Sequence, residues 1–369
     1  MKAPIDKCLL FLLLCVFHVS PVFAETEPPP MGNTENPPEA RIIGGISAMP
    51  GEVPWQAFIS IDFSSNGTEA YQCGGVVVDA RTVLTAAHCI INAGRRATPE
   101  HVRVWAGITS LLGATSRSVT PVSAITVHPA YNSSNFNHDI AILQLAMDLP
   151  EAAIPIQIAS VATQQRADNA FANTWVVNGD RPGNLLVTGW GSTTPNPDAP
   201  GATQLQQTLL SGVPDRNCDM LWGSSVNPQV YRIFVCASPP SPRLSRDSCY
   251  GDSGGPLVWQ DPQASSDPDF GLRLVGLVSF GEGCAGNLPG VYTQVSTYLD
   301  WIAAVVGSGF VATPASVFAM NPFLKDYSQA GLENFNVQSS GGGGDDSGGG
   351  LSLLILLALT GLAILRTRR

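Results

Sequence analysis

Between Ile42 and Gly307 no apolar run in this chain lasts long. Trp55–Ile61, Gly75–Val78, His101–Ala106, Ile140–Leu145, Leu185–Thr188, Leu272–Ser279 and Gly290–Gln294 are four to eight residues each, and Gly, Pro or Asn turns separate them. A core helix needs a longer stretch that keeps one period. Short apolar runs with regular turn punctuation read instead as antiparallel strands, in β-barrels or a sandwich. The 37 Gly and 29 Pro supply the turns, and a hydrophobic content of 44% is ample for a sizeable core. The 369 residues leave room for one large or two ordinary domains.

Charge excludes one class of function. The formal net charge is −10, only 13% of residues are charged, and Lys2, Lys7 and Lys325 are the only lysines. Between Ile42 and Gly307 twelve Arg face twenty Asp and Glu, so that body carries about −8. Such a balance argues against a nucleic-acid binder. It mildly favours cationic substrates, through a field that salt screens.

The two ends differ from the body. Residues 1–24 combine Lys2 and Lys7 with an apolar run from Cys8 to Val19 and then Val22-Phe23-Ala24, the pattern of a secretory signal peptide. Cys8 and Cys15 are expected to leave with it. Residues 25–41 are acidic, rich in Pro and free of apolar period, so they are expected to be unstructured. Six cysteines remain, at 73, 89, 218, 236, 249 and 284. Six allow fifteen pairings, and an exported chain favours disulfides. No CxxC or HxxxH spacing supports zinc, and no metal or cofactor is expected. After Gly307 comes a stretch with scattered aromatics, Phe310–Gln338, which reads as a spacer or docking segment. Then follow GGGGDDSGGG at 341–350, apolar Leu351–Leu365 and a basic RTRR end. Residues 308–350 are thus a spacer and Gly-rich linker, and 351–369 a sorting or anchor segment, short for a stable membrane span.

Three motifs carry the chemistry. DSCYGDSGGP at Asp247–Pro256 sets Ser253 among glycines that let backbone N–H groups turn inward. A serine needs a neighbouring base to attack and fixed donors for the oxyanion it creates. TAAHC at Thr85–Cys89 offers His88 as the base, and HDIAIL at His138–Leu143 offers Asp139 to orient it. His18, His101, His128 and His138 have no such companions and read as structural. In these motifs, and in their order His, Asp, Ser, the chain resembles the trypsin/chymotrypsin family of serine endopeptidases over residues 42–307.

The resemblance implies an all-β fold of two packed six-stranded antiparallel β-barrels with a short C-terminal helix at Tyr298–Val306, and an active site in the crevice between them. It implies a His88/Asp139/Ser253 triad, an oxyanion hole from the N–H groups of Gly251 and Ser253, and Ser279 hydrogen-bonded to Asp139. It also pairs Cys73 with Cys89, Cys218 with Cys236, and Cys249 with Cys284. Asp247, six residues before Ser253, falls at the floor of the primary pocket and selects Arg or Lys, with Gly281 and Gly290 in the pocket wall. RIIGG at Arg41–Gly45 matches the activation site: a cut after Arg41 frees the Ile42 amino group to pair with Asp252. No cysteine in the arm tethers it afterwards.

Three features depart from the family pattern. Phe280 stands where Trp is usual, SPPSPRLSR (238–246) replaces a Gly-rich approach to the pocket, and residues 164–183 are longer than the usual connection before VTGWG. The stretch Ile108–Ser118 has no acidic residue for a calcium loop. The tail resembles bacterial glycine-glycine sorting signals, which an intramembrane rhomboid-like protease removes; a glycolipid-anchor signal and a retained anchor are the alternatives. The expected partners are protein or peptide substrates and that sorting protease, with membrane contact transient or confined to the tail, and an exported, secreted or cell-surface location. The alternative function is a protease-like binding protein without catalysis.

Overall fold

A computed structural model describes residues 42–64, 70–223, 225–226 and 232–332. The expected signal peptide, the propeptide with Arg41 and the Gly-rich tail lie outside these residues. Strand β1 (Ile46–Ser47) leads into a closed six-stranded barrel. It is built from β2 (Gln56–Asp62), β3 (Ala70–Asp79), β4 (Thr82–Thr85), β7 (Val102–Ala106), β8 (Thr120–Val127) and β9 (Ala141–Leu145) in the order β2-β3-β4-β9-β8-β7. Between β4 and β7 lie the short helix α1 (Ala87–Ile90) and a hairpin of β5 (Ile91–Asn92) and β6 (Arg95–Arg96).

After β10 (Gln157–Ile158) and helix α2 (Val161–Thr174) the second barrel begins. Its strands are β11 (Leu185–Gly189), β12 (Gln206–Val213), β13 (Phe234–Ser238), β14 (Pro256–Gln260), β15 (Leu272–Phe280) and β16 (Gly290–Gln294). They run β12-β11-β14-β15-β16-β13, and β13 pairs back onto β12 to close the ring. Helix α3 (Asp215–Leu221) precedes β13, and Leu299–Val306 forms the closing helix. The fold is therefore two closed six-stranded antiparallel barrels with few helices and a short C-terminal one, as expected.

The barrels explain why the runs are continuously apolar. Side chains alternate across a strand, and here both faces are covered. In β9, Ala141, Leu143 and Leu145 enter the interior of the first barrel, while Ile142 joins the core shared with the second. In β11, Leu185 and Val187 face the interior of the second barrel and Leu186 joins the shared core. Each Leu, Ile or Val among them contributes about 1.5–3 kcal/mol on burial, so both faces favour an unbroken apolar run over strict alternation.

Two stretches carry structure that their sequence did not disclose. Residues 161–174, largely the long connection, form α2; Ser160 caps it by accepting from Thr163 N–H at 3.1 Å, and Ala167 and Phe171 enter the apolar cluster of the second barrel. The segment read as a spacer or docking stretch is described as far as Leu332, and there it lies against the body. Ala312 O accepts from Ile158 N–H at 3.0 Å, the Phe318 ring packs tilted against Trp55 at 4.7 Å, and Tyr327 is buried.

Candidate active site

Each group of interest sits where one element ends and another begins. His88 lies on α1, straight after β4; Asp139 lies two residues ahead of β9; Ser253 lies in the loop before β14. Asp139 is fully buried and grips His88 twice. Its Oδ2 lies 2.7 Å from the ring Nδ1, and its Oδ1 accepts the backbone N–H of His88 at 2.9 Å. Across the barrel junction Ser279 Oγ donates to Asp139 Oδ2 at 2.5 Å, and Thr293 Oγ1 donates to its carbonyl at 2.8 Å. Burial works to lower the His88 pKa, but the Asp139 charge and hydrogen bond outweigh it and leave His88 raised above 6.5. The ring keeps 22% of its side-chain surface exposed, facing the crevice.

The glycines after Ser253 are steric requirements. Gly254 has φ +78°, and a Cβ there would lie 2.2 Å from Thr85 Oγ1 and 2.7 Å from Ala86 N. Only a residue without a side chain lets the serine loop press against the start of the helix that carries His88. The loop is held from both barrels: Gly74 N–H on β3 donates to Ser253 O at 2.8 Å, and Gly254 N–H donates to Val278 O on β15 at 2.8 Å. The three disulfides are Cys73–Cys89, Cys218–Cys236 and Cys249–Cys284. The first ties β3 to α1, and the last ties the serine loop to the loop after β15.

One cavity of about 230 Å³ is lined by His88, Ser253, Asp247, Gly281 and Gly290 together. The Oδ2 atom of Asp247 accepts from Ala285 N–H at 2.8 Å. Burial, with a smaller push from Asp252, raises its carboxyl to about 7 against the opposing N–H groups of Ala285 and Ser248. Asp252 is fully buried and accepts from Gly191 N–H at 2.7 Å and Cys249 N–H at 2.8 Å, yet burial still raises it to about 7. Ile42 and Ile43 are fully buried, and Ile43 O accepts from Asp247 N–H at 3.2 Å. Arg41 lies outside the described residues.

A wider cavity of about 780 Å³ runs from His88 and Ser253 past Tyr131, Pro197 and Gly251. Sequence reasoning missed Phe136, which lines both cavities, meets the His88 ring edge-on at 5.6 Å and stacks on Phe280 at 5.2 Å. It stands in the Asn-rich turn YNSSNFN before HDIAIL, with φ +56°. That turn was the available signal, though nothing in it says which way an aromatic ring will point. Phe280, the departure from Trp, packs among Phe136, Trp222 and Phe234.

Comparison with known proteins agrees with this architecture. A family model described as Trypsin matches residues 42–302. Over 269 residues the chain is 34% identical to transmembrane protease serine 5 of Homo sapiens, which covers 72% of this chain and 52% of that protein. Over 271 residues it is 33% identical to transmembrane protease serine 9 of Rattus norvegicus, which covers 73% of this chain and 22% of that protein. The chain thus spans about half of one relative's length and about a fifth of the other's. The matched residues are those that build the two barrels and line the crevice between them, and the chain belongs to the trypsin family of serine proteases.

Proposed function

We propose that this chain is an exported serine endopeptidase, made as a zymogen, that cleaves peptide bonds after Arg and Lys. The observation that carries the reading is a single cavity shared by His88, Ser253 and a buried carboxylate, Asp247, with Asp139 locked behind His88. Ser253 Oγ attacks the scissile carbonyl and His88 takes its proton. Asp139 fixes the imidazole tautomer and stabilises the imidazolium. The N–H groups of Gly251 and Ser253 receive the oxyanion, and collapse of the tetrahedral intermediate passes the proton from His88 to the leaving amine. Water then hydrolyses the acyl-enzyme by the same route in reverse. Cavities on both sides of Ser253 leave room for a chain that continues past the cut, which suits an endopeptidase.

Specificity follows from Asp247. Its carboxyl is raised to about 7 because it is desolvated without a cation, and a guanidinium or ammonium in the cavity supplies one. Asp252 is in the same state, and the amino group freed on Ile42 by a cut after Arg41 supplies its cation. The tail, 341–369, acts as a temporary sorting signal for an intramembrane protease. A relative's name includes "transmembrane", and a retained anchor is the competing outcome for this tail.

The deciding experiment combines labelling of the activated protein by an organophosphate with its cleavage of Arg and Phe peptides. Stoichiometric labelling at Ser253 with preference for Arg supports the proposal. Absence of labelling leaves a binding protein without catalysis, and preference for Phe refutes the role of Asp247.

A further inference from the structure

The last described residues of the segment after the closing helix meet the residues just before Asp247. Arg246, the residue before Asp247, is only 5% exposed. Among the described residues no carboxylate pairs with its guanidinium, and burial works against its charge. Its hydrogen bonds go to backbone carbonyls: Nη2 to Tyr327 O at 2.6 Å, Nε to Ala330 O at 3.0 Å and, more weakly, Nη1 to Leu209 O at 3.4 Å. The two short bonds both end on residues 308–332. One residue upstream, Ser245 N–H donates to Gly331 O at 3.0 Å.

The same end touches the segment that begins at Ile42. A Cβ on Gly44 would lie 2.1 Å from Ser245 O and 2.5 Å from Gly331 Cα, so three stretches of chain meet with no room for a side chain. Farther back the segment is moored at several points, two side-chain contacts among them. Phe318 packs on Trp55, and Lys325 Nζ bonds Glu52 Oε2 at 2.9 Å. Glu52 is 1% exposed and also accepts from Met49 N–H and Gln207 Nε2. Lys325 is the only lysine after Lys7, and its partner is a buried carboxylate.

We propose that residues 308–332 form a strap in cis that positions the floor of the substrate pocket, and that Arg246 is the positioning residue through which the strap holds Asp247. The proposal rests on reading Asp247 as the group that meets a cationic side chain. A buried guanidinium that loses two of its three acceptors must find water. Turning outward, it carries the backbone of residue 246 with it, and so disturbs Asp247, whose N–H is otherwise held by Ile43 O and whose carboxylate is held by Ala285 N–H. The proline-rich loop SPPSPRLSR thus takes from the strap an ordering that its own sequence does not supply.

The test uses the activated full chain and perturbs the contact from each side. Arg246→Met removes the guanidinium. Gly331→Val acts from the strap alone, because a Cβ at this φ +74° position would meet Ser245 O and the Arg246 Cγ at 2.7 Å. Binding of p-aminobenzamidine, read by fluorescence, reports the pocket floor; the rate of organophosphate labelling reports Ser253 and His88. Both variants are expected to weaken p-aminobenzamidine by about tenfold or more, and to raise KM for Arg substrates, with labelling close to wild type. Arg246→Lys should recover part of the loss. Unchanged p-aminobenzamidine binding in both variants overturns the proposal. Parallel loss of both readouts in both variants also overturns it, because the strap is then merely structural. Wild-type protein that labels but does not bind p-aminobenzamidine overturns the reading of Asp247 itself, and the strap proposal falls with it.

Discussion

The desolvated carboxyl at the pocket floor should make the ligand-free protein less stable at neutral pH than a variant that cannot ionise there. Asp247 is raised from 3.8 to about 7, mainly by burial. At about 1.4 kcal/mol per pH unit, holding it ionised in the folded state costs about 4 kcal/mol relative to water. The sign follows from the direction. A group whose folded pKa lies above its unfolded value contributes stability that is fully present below 3.8 and is lost as pH rises to about 7. Asp247→Asn keeps an oxygen for the Ala285 N–H and never ionises. In a Ser253→Ala background, which removes self-digestion, wild type and variant should be nearly equal near pH 4. They should then diverge by about 1.4 kcal/mol per pH unit, with the variant ahead by about 4 kcal/mol at pH 8, on the order of 10 °C in Tm for a domain this large. Unfolding by urea and by heat, repeated from pH 4 to 8, measures the difference directly. The same variant should bind p-aminobenzamidine about 100-fold more weakly or worse, since the cation loses its charged partner. A stability difference that does not change with pH, or a variant less stable than wild type at pH 8, would refute the reasoning.

Four further outcomes are expected. Asp139→Asn keeps the size of the side chain but not the acceptor that fixes the His88 tautomer; kcat should fall about 10⁴-fold, the magnitude characteristic of this triad, with the fold intact by circular dichroism, and near-normal turnover would contradict it. For wild type, kcat/KM on a neutral ester should show an acid limb above pH 6.5, because His88 is raised and must be neutral to act. For activation, purified Ser253→Ala precursor should stay intact alone and be cut when mature enzyme is added, while Arg41→Gln blocks maturation; a wild-type precursor that stays uncut indefinitely means that another protease is the activator. As for the tail, replacing Gly341–Gly344 and 348–350 by Leu should trap a membrane-bound precursor, and secreted protein that still carries residues 351–369 by mass spectrometry would sink the sorting role.

Much of the architecture is local, and so was legible. Strands β2, β7, β9, β11, β15 and β16 lie on apolar runs visible in the sequence, because most of their side chains are buried and few polar residues interrupt them. Strands such as β12 (QQTLLSGV) and β8 (TPVSAITV) were less visible. Their polar members are accommodated by partners distant in sequence, as when Gln207 Nε2 donates to Glu52 Oε1 at 3.0 Å and Thr208 Oγ1 donates to Gly44 O at 2.8 Å. Nothing nearby in the chain announces such partners.

The candidate site divides along the same line. Short-range chemistry wrote His88, Asp139, Asp247 and Ser253 into motifs, since each needs particular neighbours: a glycine where the serine loop meets Thr85, a cysteine beside His88, an apolar strand straight after Asp139. The sequence by itself therefore determined an all-β class and offered a nucleophile and a base, while the two-barrel arrangement and the place proposed for Asp247 came from the family resemblance. Tertiary structure alone decided the rest. Phe136 became a wall of the cavity because a left-handed turn and the Phe280 ring aim it there. The stretch 308–332 became a strap because Trp55, Glu52 and Arg246, between 81 and 273 residues from their partners in it, offer it an aromatic face, a buried carboxylate and a guanidinium in need of acceptors. Periodicity and motifs record what a residue requires of its neighbours along the chain. They carry no record of a requirement met by a residue that only folding brings near.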